Sequence, residues 1–263
     1  MKIVTAGDNC IDYYLNLKKG FPGGNPVNVA VYCKRYIEDV SYIGVVGDDQ
    51  NGQIMIESLK QKDVDVSLSS IVPGGKTSIT EVDLVDGERV FKSYDMGVHK
   101  DFTLNESQLT RCCNADAFVT GIWGKCENYI QRIHDAGVIT VFDFATKLDN
   151  PIFPNIAKHI DYSFFSWEGE KEIDKIKEFM VNSKKLGTKC VVVTLGSHGS
   201  IAYDGIKFYE MGIIPCTVID TMGAGDSFIA GFTCGILKGY SIEESMRQGA
   251  ESSTQTIQYR GAW

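Results

Sequence analysis

The sequence has no excess of positive charge and no apolar run long enough to cross a membrane. Its 26 lysines and arginines are outnumbered by 34 aspartates and glutamates, which gives a net charge of −8. No basic stripe interrupts this pattern, so a nucleic-acid partner is not expected. Apolar stretches stay below the ~18 residues of a transmembrane helix, so no membrane partner is expected either. An anionic ligand would need a local positive site, such as a helix end or a metal ion.

Paired cysteines and metal-binding motifs are also missing. The eight cysteines are scattered without a C-x-x-C pair, a distribution typical of buried thiols in a reducing cytosol. The chain opens on a strand-like stretch rather than a signal peptide, so we expect a cytoplasmic protein. No H-E-x-x-H or G-x-G-x-x-G motif occurs. Gly75-Lys76-Thr77 lacks the earlier glycine and the following helix that a P-loop needs.

Strand-like and helical segments alternate along the 263 residues. Apolar runs predict buried strands at 3–6, 42–46, 117–120, 139–144, 162–165 and 191–195. Helical patterns lie between or after them, at 26–36, 54–60, 129–136, 173–184, 226–238 and 242–255. This alternation predicts one α/β domain over residues 1–263, with a mostly parallel central sheet flanked by helices.

Two segments break the alternation. Residues 77–85 and 89–94 are strand-like and are joined by Asp86-Gly87, a strong hairpin signal. Residues 9–17 also alternate loosely. The stretches of about 9–20 and 77–95 therefore predict a small sheet that stands off the main domain, as a lid over a ligand or as a dimer contact. A second hairpin is expected around Asp204-Gly205.

The segment 220–228, Asp-Thr-Met-Gly-Ala-Gly-Asp-Ser-Phe, is the most informative part of the chain. Small residues before a helix leave its first N–H groups open to an anion, which the helix dipole also favours. A carboxylate at the same place, Asp226, would repel a simple anion. It makes chemical sense if the carboxylate takes a proton from a hydroxyl while the amides hold the phosphoryl group under attack. A glycine-rich turn capped by aspartate is the structural alternative.

Three other segments favour ligand contacts, each with a structural alternative. Gly23-Gly24 precedes a helix start and places Asn28 on its first turn, where an amide can bind hydroxyls; a simple turn capped by Asn25 is the alternative. Asp8 follows a strand and either accepts sugar hydroxyls or caps a turn. Residues 194–199, Thr-Leu-Gly-Ser-His-Gly, follow a strand at the kind of edge where α/β sheets bind nucleotides, or form a plain strand-to-hairpin turn.

Together these segments resemble the PfkB carbohydrate kinases, the ribokinase-like family. Residues 23–28 are similar to the family's amino-terminal signature, 220–226 to its carboxyl-terminal signature, and 194–199 to its nucleotide segment. Their order and spacing agree along essentially the whole chain. The resemblance implies a ribokinase-like fold with a small β lid, ATP-dependent phosphorylation of a carbohydrate, Mg²⁺ as cofactor and, as a further option, K⁺. It also allows a homodimer that forms through the lid.

The resemblance assigns roles to individual residues. Asp226 would be the base that activates the acceptor hydroxyl. The remaining assignments are an anion hole of Gly223, Ala224 and Gly225, a sugar site of Asp8, Gly24 and Asn28, and an ATP site of Thr194, Gly196 and Gly199. Asp220 would lie near a monovalent-cation site.

One departure from the family pattern concerns magnesium. Many members carry Asn-x-x-Glu after the central strand, whereas residues 166–170 here read Ser-Trp-Glu-Gly-Glu, without asparagine. Glu170 or Glu168 would take part of this role, through an indirect contact with Mg²⁺.

Within the family, residues 7–12, 121–124 and 256–263 are similar to members that phosphorylate fructosamines. This likeness implies that the 6-hydroxyl of a fructosamine such as fructoselysine is the acceptor. Another ketose, a nucleoside or a sugar acid stays open as substrate. A non-catalytic sugar- or nucleotide-binding protein is the alternative of a different class, although binding alone gains nothing from a carboxylate beside a phosphate.

Overall fold

The computed structural model describes residues 1–85 and 88–263. Its strands are β1 (Lys2–Ala6), β2 (Cys10–Tyr14), β3 (Lys19–Gly23), β4 (Asp39–Ile43), β5 (Val45–Gly47), β6 (Ser70–Val72), β7 (Ile79–Val85), β8 (Glu88–Asp95), β9 (Ala117–Gly121), β10 (Ile139–Asp143), β11 (Tyr162–Ser166), β12 (Cys190–Thr194), β13 (Ser200–Tyr203) and β14 (Phe208–Met211). Its helices are α1 (Asn25–Cys33), α2 (Gln50–Gln61), α3 (Glu106–Cys113), α4 (Ile130–Asp135), α5 (Phe153–Ile156), α6 (Ile173–Lys185), α7 (Ala224–Leu237) and α8 (Ile242–Thr256).

The central sheet has eight strands in the order β14-β13-β12-β11-β10-β9-β1-β4. The six strands from β12 to β4 run parallel, and the predicted hairpin β13–β14 adds two antiparallel strands at one edge. The prediction of a mostly parallel α/β sheet is therefore confirmed. All parallel strands end at one edge, so the loops that follow them gather there.

Apolar side chains cover both faces of the central sheet. Neighbouring residues of one strand point to opposite faces, as with Ile3 and Val4 or Phe164 and Phe165. One face packs against α1, α2, α7 and α8, and the other packs against α3, α4, α5 and α6. Two buried layers hold the sheet rigidly, which fixes the positions of the loops at its carboxyl edge.

A second sheet of four strands stands beside the first, in the order β3-β2-β7-β8. Its strands β2, β7 and β8 lie within the segments predicted at 9–20 and 77–95, whereas β3 begins in the first segment and continues to Gly23; β7 pairs with β8 in antiparallel fashion. The predicted turn residues Asp86 and Gly87 lie outside the described residues. Because Thr77 leads into a strand rather than a helix, the rejection of a P-loop at Gly75-Lys76-Thr77 is consistent with the fold.

All eight cysteines belong to the described residues, and each carries a free thiol. None of the helices in residues 1–85 and 88–263 is long and apolar enough to span a bilayer.

Candidate active site

A cleft of about 690 Å³ opens at the carboxyl edge of the central sheet, beneath the four-stranded sheet. Residues from eight separate segments line it: Asp8, Cys10, Asp12, Gly24, Asn25, Asn28, Thr80, Lys92, Ser93, Tyr94, Trp123, Asp143, Ala145, Ser166, Thr221, Gly223, Ala224, Gly225 and Asp226. Seven of the predicted site residues, Asp8, Gly24, Asn28, Gly223, Ala224, Gly225 and Asp226, therefore meet in one place, although they are up to 218 positions apart.

The start of α7 forms one wall of this cleft. Gly223 adopts a left-handed φ of 72° as the N-cap, and a Cβ there would lie 2.3 Å from the Tyr32 hydroxyl oxygen. Only glycine fits this turn without strain. The Ala224 N–H donates to the Thr221 carbonyl over 3.2 Å, whereas a Cβ built on Gly225 would meet no atom within 4 Å. The backbone at Gly225 is thus open to the cleft.

Two asparagines of α1 hold the Asp226 carboxylate. The Asn25 side-chain amide donates to one carboxylate oxygen and the Asn28 amide to the other, each over 2.7 Å. The alternative in which Asn25 caps α1 is wrong. Gly24 is the N-cap, with a φ of 112°, and a Cβ there would lie 2.7 Å from the Asn9 Cα.

Asp143 is a site residue that the sequence analysis missed. It ends β10, and one of its carboxylate oxygens accepts a second hydrogen bond from the Asn25 amide over 2.8 Å. The Asn25 backbone N–H donates to Asp8 over 3.2 Å. Asn25 thus touches three carboxyl groups, those of Asp8, Asp143 and Asp226. A polar residue at the carboxyl end of a buried strand was the one signal that could have indicated Asp143.

Burial raises the pKa of all three carboxyl groups. The pKa of Asp8 and that of Asp143 rise to about 7, with the nearby charge of Asp226 adding to the effect. The pKa of Asp226 rises less, to about 6, because the amides of Asn28 and Asn25 stabilise its ionised form against the burial. Near neutral pH, Asp226 is therefore the carboxyl group of this cluster that ionises most readily.

The segment predicted to bind nucleotide lies two strands away from Asp143. Thr194 ends β12, and its hydroxyl lies 3.1 Å from that of Ser166, which lines the cleft at the end of β11. Gly196 and Gly199 have left-handed φ angles of 54° and 88°. Position 199 requires glycine, because a Cβ there would lie 2.0 Å from the Met211 carbonyl oxygen. None of these three residues is part of the described cleft lining, and Thr194 contacts it through Ser166.

Two predicted metal-associated residues lie outside the cleft lining. Asp220 accepts hydrogen bonds from the Met222 N–H over 2.9 Å and the Gly261 N–H over 3.0 Å. The Glu170 side chain is exposed just beyond β11. Away from the cleft, His134, Asp135 and His159 approach each other closely enough to share an ion, which their separation in sequence did not indicate.

Comparison with known proteins identifies the family. Residues 18–263 match the model described as "pfkB family carbohydrate kinase". The chain is 44% identical to fructoselysine 6-kinase of Shigella flexneri, with 99% of each chain covered. It is 32% identical to fructosamine kinase FrlD of Bacillus subtilis, with 100% of this chain and 93% of the relative covered.

Solved structures support the same fold. The ribokinase of Arabidopsis thaliana, complexed with ribose and ATP, superposes with a TM-score of 0.90 at 24% identity, covering 99% of this chain and 93% of that one. The Thermotoga maritima ribokinase superposes with a TM-score of 0.82, covering 100% and 94%. The fold is therefore ribokinase-like, as predicted, and the chain belongs to the PfkB family of carbohydrate kinases.

Proposed function

We propose that this carbohydrate kinase transfers the γ-phosphoryl group of ATP to the 6-hydroxyl of fructoselysine. The observation that carries the chemistry is the Asp226 carboxylate, held by two amides beside the open first turn of α7. The fructosamine kinases among its relatives support the substrate. Free cysteines at all eight positions suit a reducing compartment, and we infer that the enzyme acts in the cytoplasm.

In the proposed reaction, Asp226 takes the proton of the 6-hydroxyl as that oxygen attacks the γ-phosphorus. The new O–P bond forms while the bond between the γ-phosphorus and the bridging oxygen breaks, and ADP leaves with that oxygen. The N–H groups at Gly223, Ala224 and Gly225, with the positive end of the α7 dipole, would stabilise the charge on the transferring group. The Ala224 N–H must leave the Thr221 carbonyl to take part.

Nucleotide and ions are assigned to the neighbouring loops. Thr194, Gly196 and Gly199 would hold ATP at the end of β12. Bound Mg²⁺ would neutralise phosphate charge, and the exposed carboxylate of Glu170 offers the hard oxygen ligands, direct or through water, that this ion prefers. Asp220 is proposed near a K⁺ site, because an oxygen that accepts one N–H keeps a lone pair for a cation.

The sugar would lie between β1, α1 and the four-stranded sheet. Asp8 lines the cleft, and one of its carboxylate oxygens is buried without a hydrogen-bond partner. A hydrogen bond from a sugar hydroxyl would satisfy this buried acceptor. Gly24 lets the backbone approach the sugar. Asn28 donates one amide hydrogen to Asp226 and keeps a second hydrogen for a hydroxyl.

The four-stranded sheet is proposed as a lid that receives the lysine tail of the substrate. Lys92 is the basic side chain among the described residues that line the cleft, and it could pair with the tail carboxylate. The hairpin of β7 and β8 also offers Glu81, Asp83 and Arg89 as possible contacts for the tail: Glu81 accepts a hydrogen bond from Ser93 over 2.7 Å, and Asp83 lies 4.0 Å from the Lys92 ammonium. The Arg89 side chain lies outside the described part of the chain. Pairing of two such sheets would give the proposed homodimer.

We expect kcat/KM for fructoselysine to exceed that for fructose and for ribose by about 10-fold or more, equal to about 1.4 kcal/mol of transition-state discrimination. Steady-state assays of ADP release with each sugar measure this preference.

Lys92→Met should lower kcat/KM for fructoselysine by roughly 2- to 5-fold, the worth of an exposed ion pair, and leave kcat/KM for fructose unchanged. Lys60→Met, an exposed lysine of α2, is the matched control.

Better use of a simple ketose, a nucleoside or a sugar acid would overturn the substrate and leave the kinase assignment standing. A wild-type protein that binds sugar but releases no ADP with any acceptor would point to the non-catalytic alternative.

The rate should depend on pH in the acid range. Because Asp226 accepts a proton only when ionised, kcat/KM should fall as the pH drops through about 6, the pKa raised there by burial, and reach a plateau above it. Coupling to Asp8 and Asp143, whose pKa values rise to about 7, broadens this limb. Enzyme held at low pH and assayed at pH 8 controls for unfolding. A flat profile between pH 5 and 8 would contradict Asp226 as the base.

A further inference from the structure

We propose that Trp263 is a positioning residue, whose indole N–H fixes the orientation of the Asn28 amide and through it the carboxylate of Asp226. The inference rests on the proposed function, in which Asp226 is the base.

A chain of two hydrogen bonds joins these residues. The Trp263 indole nitrogen donates to the Asn28 side-chain oxygen over 2.9 Å, and the Asn28 amide nitrogen donates to Asp226 over 2.7 Å. An indole N–H can only donate, and an ionised carboxylate can only accept. The Asn28 amide therefore satisfies both neighbours in one of its two orientations, with oxygen toward Trp263 and nitrogen toward Asp226.

The Asn25 amide, the second donor to Asp226, does not need a further partner to fix its orientation. Asn25 donates to Asp226 and also to Asp143, so carboxyl groups on both sides fix its orientation. Asn28 faces one carboxylate, and Trp263 is the second partner that holds its orientation, through the amide oxygen. Without the indole N–H, the Asn28 amide can turn its oxygen toward Asp226 whenever that carboxyl group is protonated, which stabilises the protonated form and removes one of the two donors that hold the carboxylate.

The packing of Trp263 separates its hydrogen bond from its apolar contacts. The ring packs against the cluster formed by Tyr14, Val82, Met222 and Ala262, and the Lys62 ammonium lies 5.9 Å from the ring centre. Phenylalanine at this position keeps most of the apolar contact and removes the donor, so Trp263→Phe tests the hydrogen bond itself.

The charges around Asp226 determine the direction of the effect. Asp8 after β1, Asp12 on β2 and Asp143 at the end of β10 are acidic, and the Tyr32 hydroxyl of α1 also interacts with the Asp226 charge. Lys92 of β8 is the basic group among the described cleft residues. In this acidic setting, the loss of one amide donor favours the protonated form of Asp226, so the acid limb of the rate profile should move to higher pH.

The experiment is a double-mutant cycle with Trp263→Phe and Asn28→Ala, measured as kcat and as the pH profile of kcat/KM. Trp263→Phe should lower kcat by about 3- to 10-fold, the worth of one hydrogen bond, and should shift the acid limb upward. In the Asn28→Ala background the same change should have no further effect, because its route to Asp226 is gone. Tyr129→Phe, which removes the acceptor of the Leu104 N–H outside the described cleft lining, should leave kcat and the acid limb unchanged.

Two results would overturn the inference: an unaltered pH limb in Trp263→Phe, or an equal loss of kcat in both backgrounds. If Trp263→Phe does not fold, the same double-mutant cycle is measured with Trp263→His, which keeps a ring N–H. A loss of activity that is the same with Asn28 and with Asn28→Ala would again contradict the inference. A wild-type enzyme inactive on every sugar would refute the proposed function and this inference together, whereas an active wild type with an indifferent Trp263→Phe would refute only the inference.

Discussion

Asp226→Asn is expected to lower kcat by roughly 10²- to 10⁴-fold, the usual worth of a general base, with little loss of ATP affinity. The amide keeps the shape of the carboxylate but cannot accept the proton of the acceptor hydroxyl. The substitution also places an NH₂ group against one of the donors on Asn25 and Asn28, so some loss of thermal stability is expected. Steady-state kinetics, calorimetric titration with ATP and a thermal melt separate these effects.

Asp174→Asn is the matched control for this experiment. Asp174 also lies in the first turn of a helix, α6, but it is exposed and away from the cleft. Its substitution removes the same charge from the first turn of a helix without touching the proposed chemistry. Turnover of Asp226→Asn within a factor of about three of the wild type would contradict the role of Asp226.

Local signals in the sequence account for much of the site. Gly223, Gly225 and Asp226 stand in one continuous segment at the start of α7, so a helix start and a carboxylate beside it could be predicted from the order of residue types. The strand ends that carry Asp8 and Thr194 could be predicted as well, because apolar runs and their parallel arrangement place them at one edge of the sheet.

The contacts of Asn25, Asn28 and Asp143 could not be predicted in this way. Asn25 and Asp143 are 118 positions apart, and Asn28 and Trp263 are 235 apart. Which amide faces which carboxylate depends on the packing of α1 against α7 and β10, and neither residue type nor spacing encodes that packing. The raised pKa values follow from the same burial, so the sequence alone did not indicate them.

The predicted strand at 42–46 shows a similar limit. The structure divides it into β4 and β5 at Gly44, whose Cβ, if present, would lie 1.9 Å from the Tyr42 hydroxyl oxygen. That hydroxyl donates to the Gly7 carbonyl and accepts from Asn9. The apolar pattern continues through the break, so the end of β4 depends on a tertiary contact that the pattern does not contain.

Gly225→Val should nearly abolish kcat/KM while the protein stays folded. A side chain at Gly225 would meet no atom within 4 Å, and its φ is not left-handed, so the fold can accept valine. The added methyl groups would project into the cleft where the phosphoryl group is proposed to approach the start of α7. We expect a loss of roughly 10²-fold or more, comparable to the loss of an oxyanion donor. Steady-state kinetics beside a thermal melt measure both properties.

The size of the side chain provides a graded test of this prediction. Gly225→Ala adds one methyl group and should lose less activity than Gly225→Val, whereas a purely conformational effect would make alanine and valine differ in stability rather than in rate. Glu243→Val places valine at the equivalent second position of α8, far from the cleft, and should leave kcat/KM unchanged. By contrast, any side chain at Gly223 would strain a left-handed turn against Tyr32, so a loss of activity there could not separate folding from chemistry. If the folded Gly225→Val variant retained activity, the anion hole would have to lie elsewhere in the cleft, and Asp226 would no longer lie beside the transferring group.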